Sequence, residues 1–178
     1  SPCCLWETEM LTDALIDQPG TCYLRLDKSN AGRTNKKGEK FELGKIRTLR
    51  KGSDISIISS GGIMEEVLEA ADFLEKEHNI QTRVLSVHTL KPFDAETVIK
   101  AAKETNTIIT VEENVIEGGL GGLVAETCLE AGTVPKSFKR IGMKNKFSSI
   151  VGSQKYLRKY YHMDSESIIE TVLKIKGI

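Results

Sequence analysis

One stretch of the sequence, Thr107 to Gly122, limits the possible folds more than any other. It opens with Thr-Ile-Ile-Thr-Val at residues 107–111, a β-branched run too short and too evenly apolar for an amphipathic helix. This run predicts a strand that is buried on both faces, as in a parallel sheet. Glu112 and Glu113 follow at its carboxyl end, and the glycine-rich run 118–122 comes before a helical pattern. Ligands and partner domains usually occupy the crevice outside the carboxyl ends of such strands, so we expect any chemistry to lie here.

The sequence after residue 41 alternates between strand and helix patterns. Strands are predicted at 55–59, 82–87, 107–111 and 137–141, and helices at 63–77, 95–105, 123–131, 154–161 and 165–174. This order predicts an α/β fold, a three-layer, doubly wound and mostly parallel sheet. Residues 47–51 are interpreted as a basic patch, Asp94 and Asn79 as helix caps, and Glu66 as a solvent-facing residue of the helix 63–77.

The first 40 residues have a different character. Residues 6–17 predict a helix and residues 21–26 a strand, and these two elements cannot enclose a core alone. The following Ser, Asn, Gly and Lys residues lack periodicity and predict a solvated linker. We therefore divide the chain into residues 1–27, 28–40 and 41–178. We expect a fragment or a processed form of a longer protein because the sequence begins with Ser instead of Met.

Composition argues against several classes of protein. The chain has 25 basic and 25 acidic residues, which argues against a nucleic-acid partner or an anionic membrane surface. No apolar run has membrane-spanning length and no signal peptide is visible, so we expect a cytoplasmic protein with no membrane partner. The cysteines lack the spacing of a zinc site or a disulfide framework and are interpreted as reduced thiols: Cys3, Cys4, Cys22 and Cys128.

Three candidate sites each have two interpretations. The glycine-rich run 118–122 either binds an anion through backbone amides or allows close backbone packing at a domain contact. Glu112 and Glu113 are either an acid/base pair or hydrogen-bonding groups at an interface with a missing domain, and they point to opposite faces of the strand. His88 either transfers a proton or contacts substrate, or is a hydrogen-bonded loop residue at a domain contact.

Four motifs in register bear a family resemblance. They are Ile-Ile-Ser-Ser-Gly-Gly-Ile-Met at 57–64, Ser-Val-His-Thr-Leu-Lys-Pro-Phe-Asp at 86–94, Thr-Val-Glu-Glu-Asn at 110–114 and Gly-Gly-Leu-Gly-Gly at 118–122. Together they resemble the C-terminal domain of transketolases and related thiamine-diphosphate enzymes, roughly over residues 41–174. The His-Thr-Leu-Lys-Pro loop is most similar to the C-terminal subunit of split transketolases. The alternatives are deoxyxylulose-phosphate synthases and beta subunits of 2-oxoacid dehydrogenases.

The resemblance implies a function for the intact enzyme. That enzyme would transfer a two-carbon ketol unit between sugar phosphates as a homodimer, with thiamine diphosphate and magnesium. Residues 19–27 resemble the end of the pyrimidine-binding domain, and the resemblance places the substrate-phosphate arginine at Arg25, although a plain surface arginine is the alternative.

The resemblance also implies what the chain lacks. The family's cofactor-binding motifs, and the glutamate that faces the pyrimidine, do not occur in this sequence. We therefore expect no cofactor, no metal and no catalytic residue on this chain, and no activity without the remaining transketolase domains or an N-terminal subunit. Two other possibilities are an interaction module of the dehydrogenase kind and a stand-alone phosphate-binding domain.

Overall fold

The structure is a computed structural model that describes residues 1–28, 32–145 and 147–178. Its helices are α1 (Leu5–Ile16), α2 (Met64–His78), α3 (Ala95–Thr105), α4 (Leu120–Glu130), α5 (Gln154–Tyr160) and α6 (Ser165–Lys176). Its strands are β1 (Arg47–Arg50), β2 (Ile55–Ser60), β3 (Thr82–Ser86), β4 (Thr107–Val115) and β5 (Ser137–Met143).

The strands form one sheet in the order β1-β3-β2-β4-β5. Strands β3, β2, β4 and β5 are parallel, and β1 pairs antiparallel with β3 so that Arg47 lies opposite Ser86. The sheet order reverses between β2 and β4, and the carboxyl ends of these two strands are therefore the topological switch point. The prediction of a doubly wound, mostly parallel α/β sheet is confirmed.

Each face of the sheet has its own apolar core. On one face, Ile57 and Ile109 pack with α1, α2 and α6, and on the other face Ile58 and Ile108 pack with α3 and α4. All four isoleucines are fully buried, as expected for central strands covered on both sides. Since a buried side chain of this size contributes about 1.5–3 kcal/mol, the two cores stabilise the three layers.

Two predicted helix caps are confirmed. The side chain of Asp94 accepts a hydrogen bond from the Thr97 amide at the start of α3. Asn79 ends α2 in the left-handed region, with φ 53°, where asparagine is better tolerated than most residues. These residues fix the points at which α3 begins and α2 ends.

Some predictions were wrong. Residues 21–26 form no strand, because no strand in the described part of the chain lies beside them to accept their hydrogen bonds. Residues 47–50 are the edge strand β1 instead of a basic patch, and Arg47 is buried. Glu66 is also buried, because an ion pair with a buried arginine described below holds its side chain away from solvent. Helix α4 begins at Leu120, three residues earlier than predicted.

The residues before β1 contact the main body of the protein. Trp6 of α1 belongs to the same apolar core as β2 and α2, and its ring lies 5.9 Å from that of Phe41. The Leu5 amide donates to the Gly32 carbonyl at 3.2 Å, which ties α1 to the predicted linker. The division into residues 1–27, 28–40 and 41–178 stays a prediction. No helix of the described residues is long and apolar enough to cross a membrane.

Candidate functional site

The turn between β4 and α4 lies at the switch point and is organised by Glu112. Its buried carboxylate accepts the Leu120 amide at 2.8 Å and the Gly121 amide at 2.9 Å. Glu112 thereby satisfies two of the four amides that the first turn of a helix leaves unpaired, and its negative charge lies at the positive end of the α4 dipole. The position in which a bound phosphate would receive hydrogen bonds from α4 is therefore filled by a side chain of the protein.

The glycines of this turn allow close packing within the chain. A Cβ atom on Gly119 would lie 2.7 Å from Cδ of Glu112 and 2.8 Å from the Val115 carbonyl oxygen. A Cβ atom on Gly121 would lie 2.6 Å from Cδ of Arg140. Of the two interpretations of the glycine-rich run, the structure supports close packing. The contacts that it shows lie within this chain and not at a domain contact.

Three other helices also have a carboxylate at their amino ends. Asp94 and Asp164 cap α3 and α6 with their side chains. Asp27 accepts the Gly62 amide at 2.8 Å, immediately before α2. Burial alone would raise the pKa of Asp94, but hydrogen bonds from the Ile46 amide and from Thr97 lower it below the ordinary value. Helices α2, α3 and α6, like α4, thus have a carboxylate of this chain at their amino ends.

Glu113 points to the opposite face of β4 from Glu112, as predicted, and holds Arg158 of α5. Arg158 is only 4% exposed, and its Nη2 donates to Glu113 at 2.9 Å. Its Nη1 lies 3.6 Å from Glu66 of α2, whose other oxygen accepts the Ser165 amide. One buried guanidinium therefore joins β4, α2 and α5. Both carboxylates bond within this chain, and the expectation that they bond across an interface with a missing domain stays a prediction.

Arg25 lies close to this network. It is exposed, and its Nη2 donates to the Glu113 backbone carbonyl at 3.4 Å. Since Asp27 bonds at the start of α2, residues 25–27 pass over the carboxyl ends of β4 and β2. The structure therefore brings Arg25 to the switch point, with a guanidinium that solvent can reach.

His88 is buried just beyond the end of β3. Its Nδ1 lies 2.7 Å from the Thr89 hydroxyl, and its ring is 4.7 Å from the ring of Phe41. The side chain is 1% exposed, and this burial lowers its pKa below 6.5. At neutral pH the ring is therefore uncharged and out of reach of solvent. This arrangement is that of a packed loop residue, whereas proton transfer to a substrate needs an accessible ring nitrogen.

A second buried charge network was missed by sequence reasoning. Glu7 of α1 is fully buried and accepts Arg47 Nη1 at 2.6 Å and the Ser86 hydroxyl at 2.8 Å. The Arg47 guanidinium also lies 4.5 Å from the centre of the Trp6 ring, a cation–π distance. The pair is 40 positions apart in the sequence, and no local pattern marks it. It links α1 to the β1–β3 edge of the sheet.

The thiols differ in accessibility. Cys22 is exposed, whereas the other cysteines (Cys3, Cys4 and Cys128) are buried and are referred to below as the buried cysteines. Cys4 caps α1, and hydrogen bonds, first with Cys3 and then with Thr34, lower its pKa to about 5. Cys3 has a raised pKa because of its hydrogen bond with Cys4 and its burial. Among the described residues, no group of three or more His, Cys, Asp or Glu side chains could hold a metal ion.

Comparison with known proteins identifies relatives for most of the chain. A family model described as "Transketolase, C-terminal domain" matches residues 44–168. An apulose-4-phosphate transketolase subunit from Actinobacillus succinogenes is 33% identical over 169 residues, which are 95% of this chain and 54% of the relative. The 1-deoxy-D-xylulose-5-phosphate synthase of Dictyoglomus turgidum is 34% identical over 90% of this chain and 26% of its own length.

A solved structure has the same fold. It is described as "Split gene transketolase, inactive beta4 tetramer", and it superimposes with a TM-score of 0.71 at 29% identity, over 81% of this chain and 46% of the other. The chain thus spans about half the length of the Actinobacillus succinogenes relative, with 54% coverage, and a smaller share of the synthase, with 26%.

Proposed function

Because this chain belongs to the transketolase C-terminal domain family, we propose that it is the C-terminal part of an enzyme that transfers a two-carbon ketol unit between sugar phosphates. The reaction would use thiamine diphosphate and magnesium, as the family resemblance implies. This chain would support the active centre instead of forming it.

The family match over residues 44–168 carries this proposal, and the supporting role rests on the carboxylate of Glu112 at the amino end of α4. A diphosphate needs free amide donors or cations, and at this helix the amides of Leu120 and Gly121 already donate to Glu112. The start of α4 therefore does not fit the diphosphate of thiamine diphosphate, and we assign this cofactor and its magnesium to another domain or subunit. The isolated chain is expected to bind neither and to be inactive.

The partner in this proposal is an N-terminal transketolase subunit or the remaining domains of one longer chain. The Actinobacillus succinogenes relative is about twice as long as this chain, which covers 54% of it. The similar split-gene structure is described as an inactive tetramer of beta chains. We also propose that the complete enzyme is a homodimer and that it is located in the cytoplasm.

Within this proposal, Arg25 binds the phosphate of the sugar substrate. Its guanidinium is exposed at the switch point and can form two parallel charge-assisted hydrogen bonds with a phosphate. In the complete enzyme, Arg25→Ala should raise KM for the sugar phosphate by a factor at least ten times larger than the factor by which it lowers kcat. Arg33→Ala is the matched control, since Arg33 is also exposed but pairs with Glu9. Equal KM values in the two variants would mean that Arg25 is a plain surface arginine that does not bind the substrate.

The test of the whole proposal uses the complete product of the natural reading frame, its copurifying subunit if it has one, and this chain alone. Each is assayed for ketol transfer with thiamine diphosphate, magnesium and a ketose phosphate, and its bound cofactor is measured. We expect transfer and cofactor with the complete protein and background values with the isolated chain. Turnover by the isolated chain, or a complete protein without transfer activity, would overturn the proposal.

The second candidate is a deoxyxylulose-phosphate synthase, favoured by the 34% identity with the Dictyoglomus turgidum enzyme. The two candidates differ in their product. Formation of 1-deoxy-D-xylulose 5-phosphate by the complete protein, without ketol transfer between sugar phosphates, would favour the synthase.

A further inference from the structure

A cavity of about 580 Å³ lies beside the carboxyl end of β5. It is lined by the end of β5, by the connection between α5 and α6, and by Ile116, Lys144, Phe147 and Ser149. Six side chains define its character, three of them cationic or titratable and three aromatic: Arg140, Lys144, His162, Phe147, Tyr160 and Tyr161.

The charge of the cavity is unbalanced. None of the described residues that line it is acidic. Arg140 uses Nη1 to donate to the Ile116 carbonyl at 2.8 Å, and neither Arg140 nor Lys144 forms an ion pair in the described part of the chain. By contrast, carboxylates hold Arg47, Arg50 and Arg158. Two cations without a protein counter-ion in one concave surface favour an anion, and a guanidinium matches the geometry of phosphate oxygens.

The aromatic residues add a flat apolar surface to the cavity. Phe147 is fully exposed at the rim, and Tyr160 is 49% exposed and lies edge-on to Tyr161, with the ring centroids 5.1 Å apart. A phenylalanine left in water forgoes the stabilisation that burial of its ring would give. Its position beside cationic groups fits a ligand that has both a ring and a negative charge, because aromatic side chains stack on flat rings.

We propose that this cavity binds a small anionic ligand that combines one phosphate group with one planar aromatic ring, of the nucleoside monophosphate class. Lys144 and Arg140 contact the phosphate, and Phe147 and Tyr160 contact the ring. This proposal does not rest on the proposed ketol-transfer activity.

The experiment is calorimetric titration of the chain with AMP, adenosine, ribose 5-phosphate and inorganic phosphate. We expect saturable binding of AMP to one site, at least ten-fold tighter than binding of each of the other three probes. Raising the salt concentration should weaken AMP binding more than adenosine binding, because salt screens the phosphate contacts.

Two pairs of variants test the assignment of residues. Lys144→Glu should weaken AMP binding at least ten-fold, whereas Lys136→Glu, at an exposed lysine just before β5, should not. Phe147→Ala should weaken it about five-fold or more, by the usual contribution of base stacking. Val151→Ala, at an equally exposed apolar residue outside the cavity lining, should leave it unchanged. These positions are exposed, so folding is retained, and circular dichroism checks it.

Three results would overturn the proposal. They are the absence of saturable AMP binding, a loss of AMP affinity in Lys136→Glu as large as that in Lys144→Glu, and binding of ribose 5-phosphate as tight as that of AMP. Without saturable AMP binding, the exposed aromatic surface would instead contact a protein partner. An equal loss of affinity in Lys136→Glu would mean that AMP responds only to the overall charge of the chain. Equally tight binding of ribose 5-phosphate would exclude a ring-binding role for Phe147.

Discussion

The carboxylate of Glu112 gives the sharpest test of how the β4–α4 turn is held together. Glu112→Gln keeps the shape of the side chain but removes its charge, and it places an NH₂ group against one of the two amides that now donate to the carboxylate. A hydrogen bond to a charged group is worth about 1.5–3 kcal/mol, and the interaction with the helix dipole adds about 0.3–1 kcal/mol. Since one of the two bonds survives as a neutral one, we expect the free energy of unfolding to fall by about 2–3 kcal/mol.

The measurement is urea unfolding of the chain, followed by far-ultraviolet circular dichroism. Glu117→Gln is the matched control, because Glu117 lies on the same turn but is exposed, and a surface substitution of this kind changes stability by less than about 0.5 kcal/mol. If Glu112→Gln lowers the free energy of unfolding by no more than Glu117→Gln does, the carboxylate does not stabilise the turn.

Gly119 supplies a second, independent test of the same contact. Gly119→Ala places a Cβ 2.7 Å from Cδ of Glu112, and such overpacking typically costs about 1–3 kcal/mol. In the Glu112→Ala background the contact with the Glu112 side chain is gone, and the contact with the Val115 carbonyl oxygen, at 2.8 Å, remains. We expect the penalty of Gly119→Ala to be at least about 1 kcal/mol smaller in that background, as a double-mutant cycle measures. Equal penalties in the two backgrounds would refute the described packing.

Three further predictions concern other parts of the molecule. Arg158→Ala should lower the free energy of unfolding by about 3–5 kcal/mol in urea titrations, because it leaves two carboxylates without their cation, while exposed Lys159→Ala should hardly move the midpoint. Burial lowers the pKa of folded His88, so the unfolded state alone gains a proton as pH falls below 6.5. The melting temperature should therefore decrease as the pH falls below 6.5, and His88→Asn should make this decrease smaller. The same pH dependence in His88→Asn and in the unmodified chain would contradict the prediction. A thiol reagent should label Cys22 at once and the buried cysteines only after denaturation; fast labelling of more than one thiol in the native chain would refute the burial pattern.

The alternation of strands and helices could be predicted because it depends on local patterns. The apolar β-branched run at 107–111 forms the core of β4, and Asp94 caps α3 as its position before the helix predicts. Strand β1 was missed because Arg-Thr-Leu-Arg is short and contains two charges, and only pairing with β3, more than 30 residues later, makes it a strand. The reverse error at residues 21–26 has the same origin, since strand propensity without a partner strand does not form a ladder.

The candidate site was predicted in location but not in its contacts. The sequence placed Glu112, Glu113 and the glycines at one sheet edge, and their alternation on β4 predicted opposite faces. The partners of the two carboxylates could not be predicted, because Arg158 is 45 positions from Glu113 and the α4 amides are defined only once the helix begins. Burial of Glu66 follows from that same arginine, and no periodicity of α2 indicates it.

The Glu112 carboxylate at the start of α4 determines whether this end of the sheet can bind an anion. In doubly wound folds the amino ends of helices usually face the ligand. Here the amides at the amino end of α4 donate to the side chain of Glu112 instead. A neutral residue in place of this one glutamate would leave the Leu120 and Gly121 amides free to donate to an anionic ligand, with the sheet unchanged.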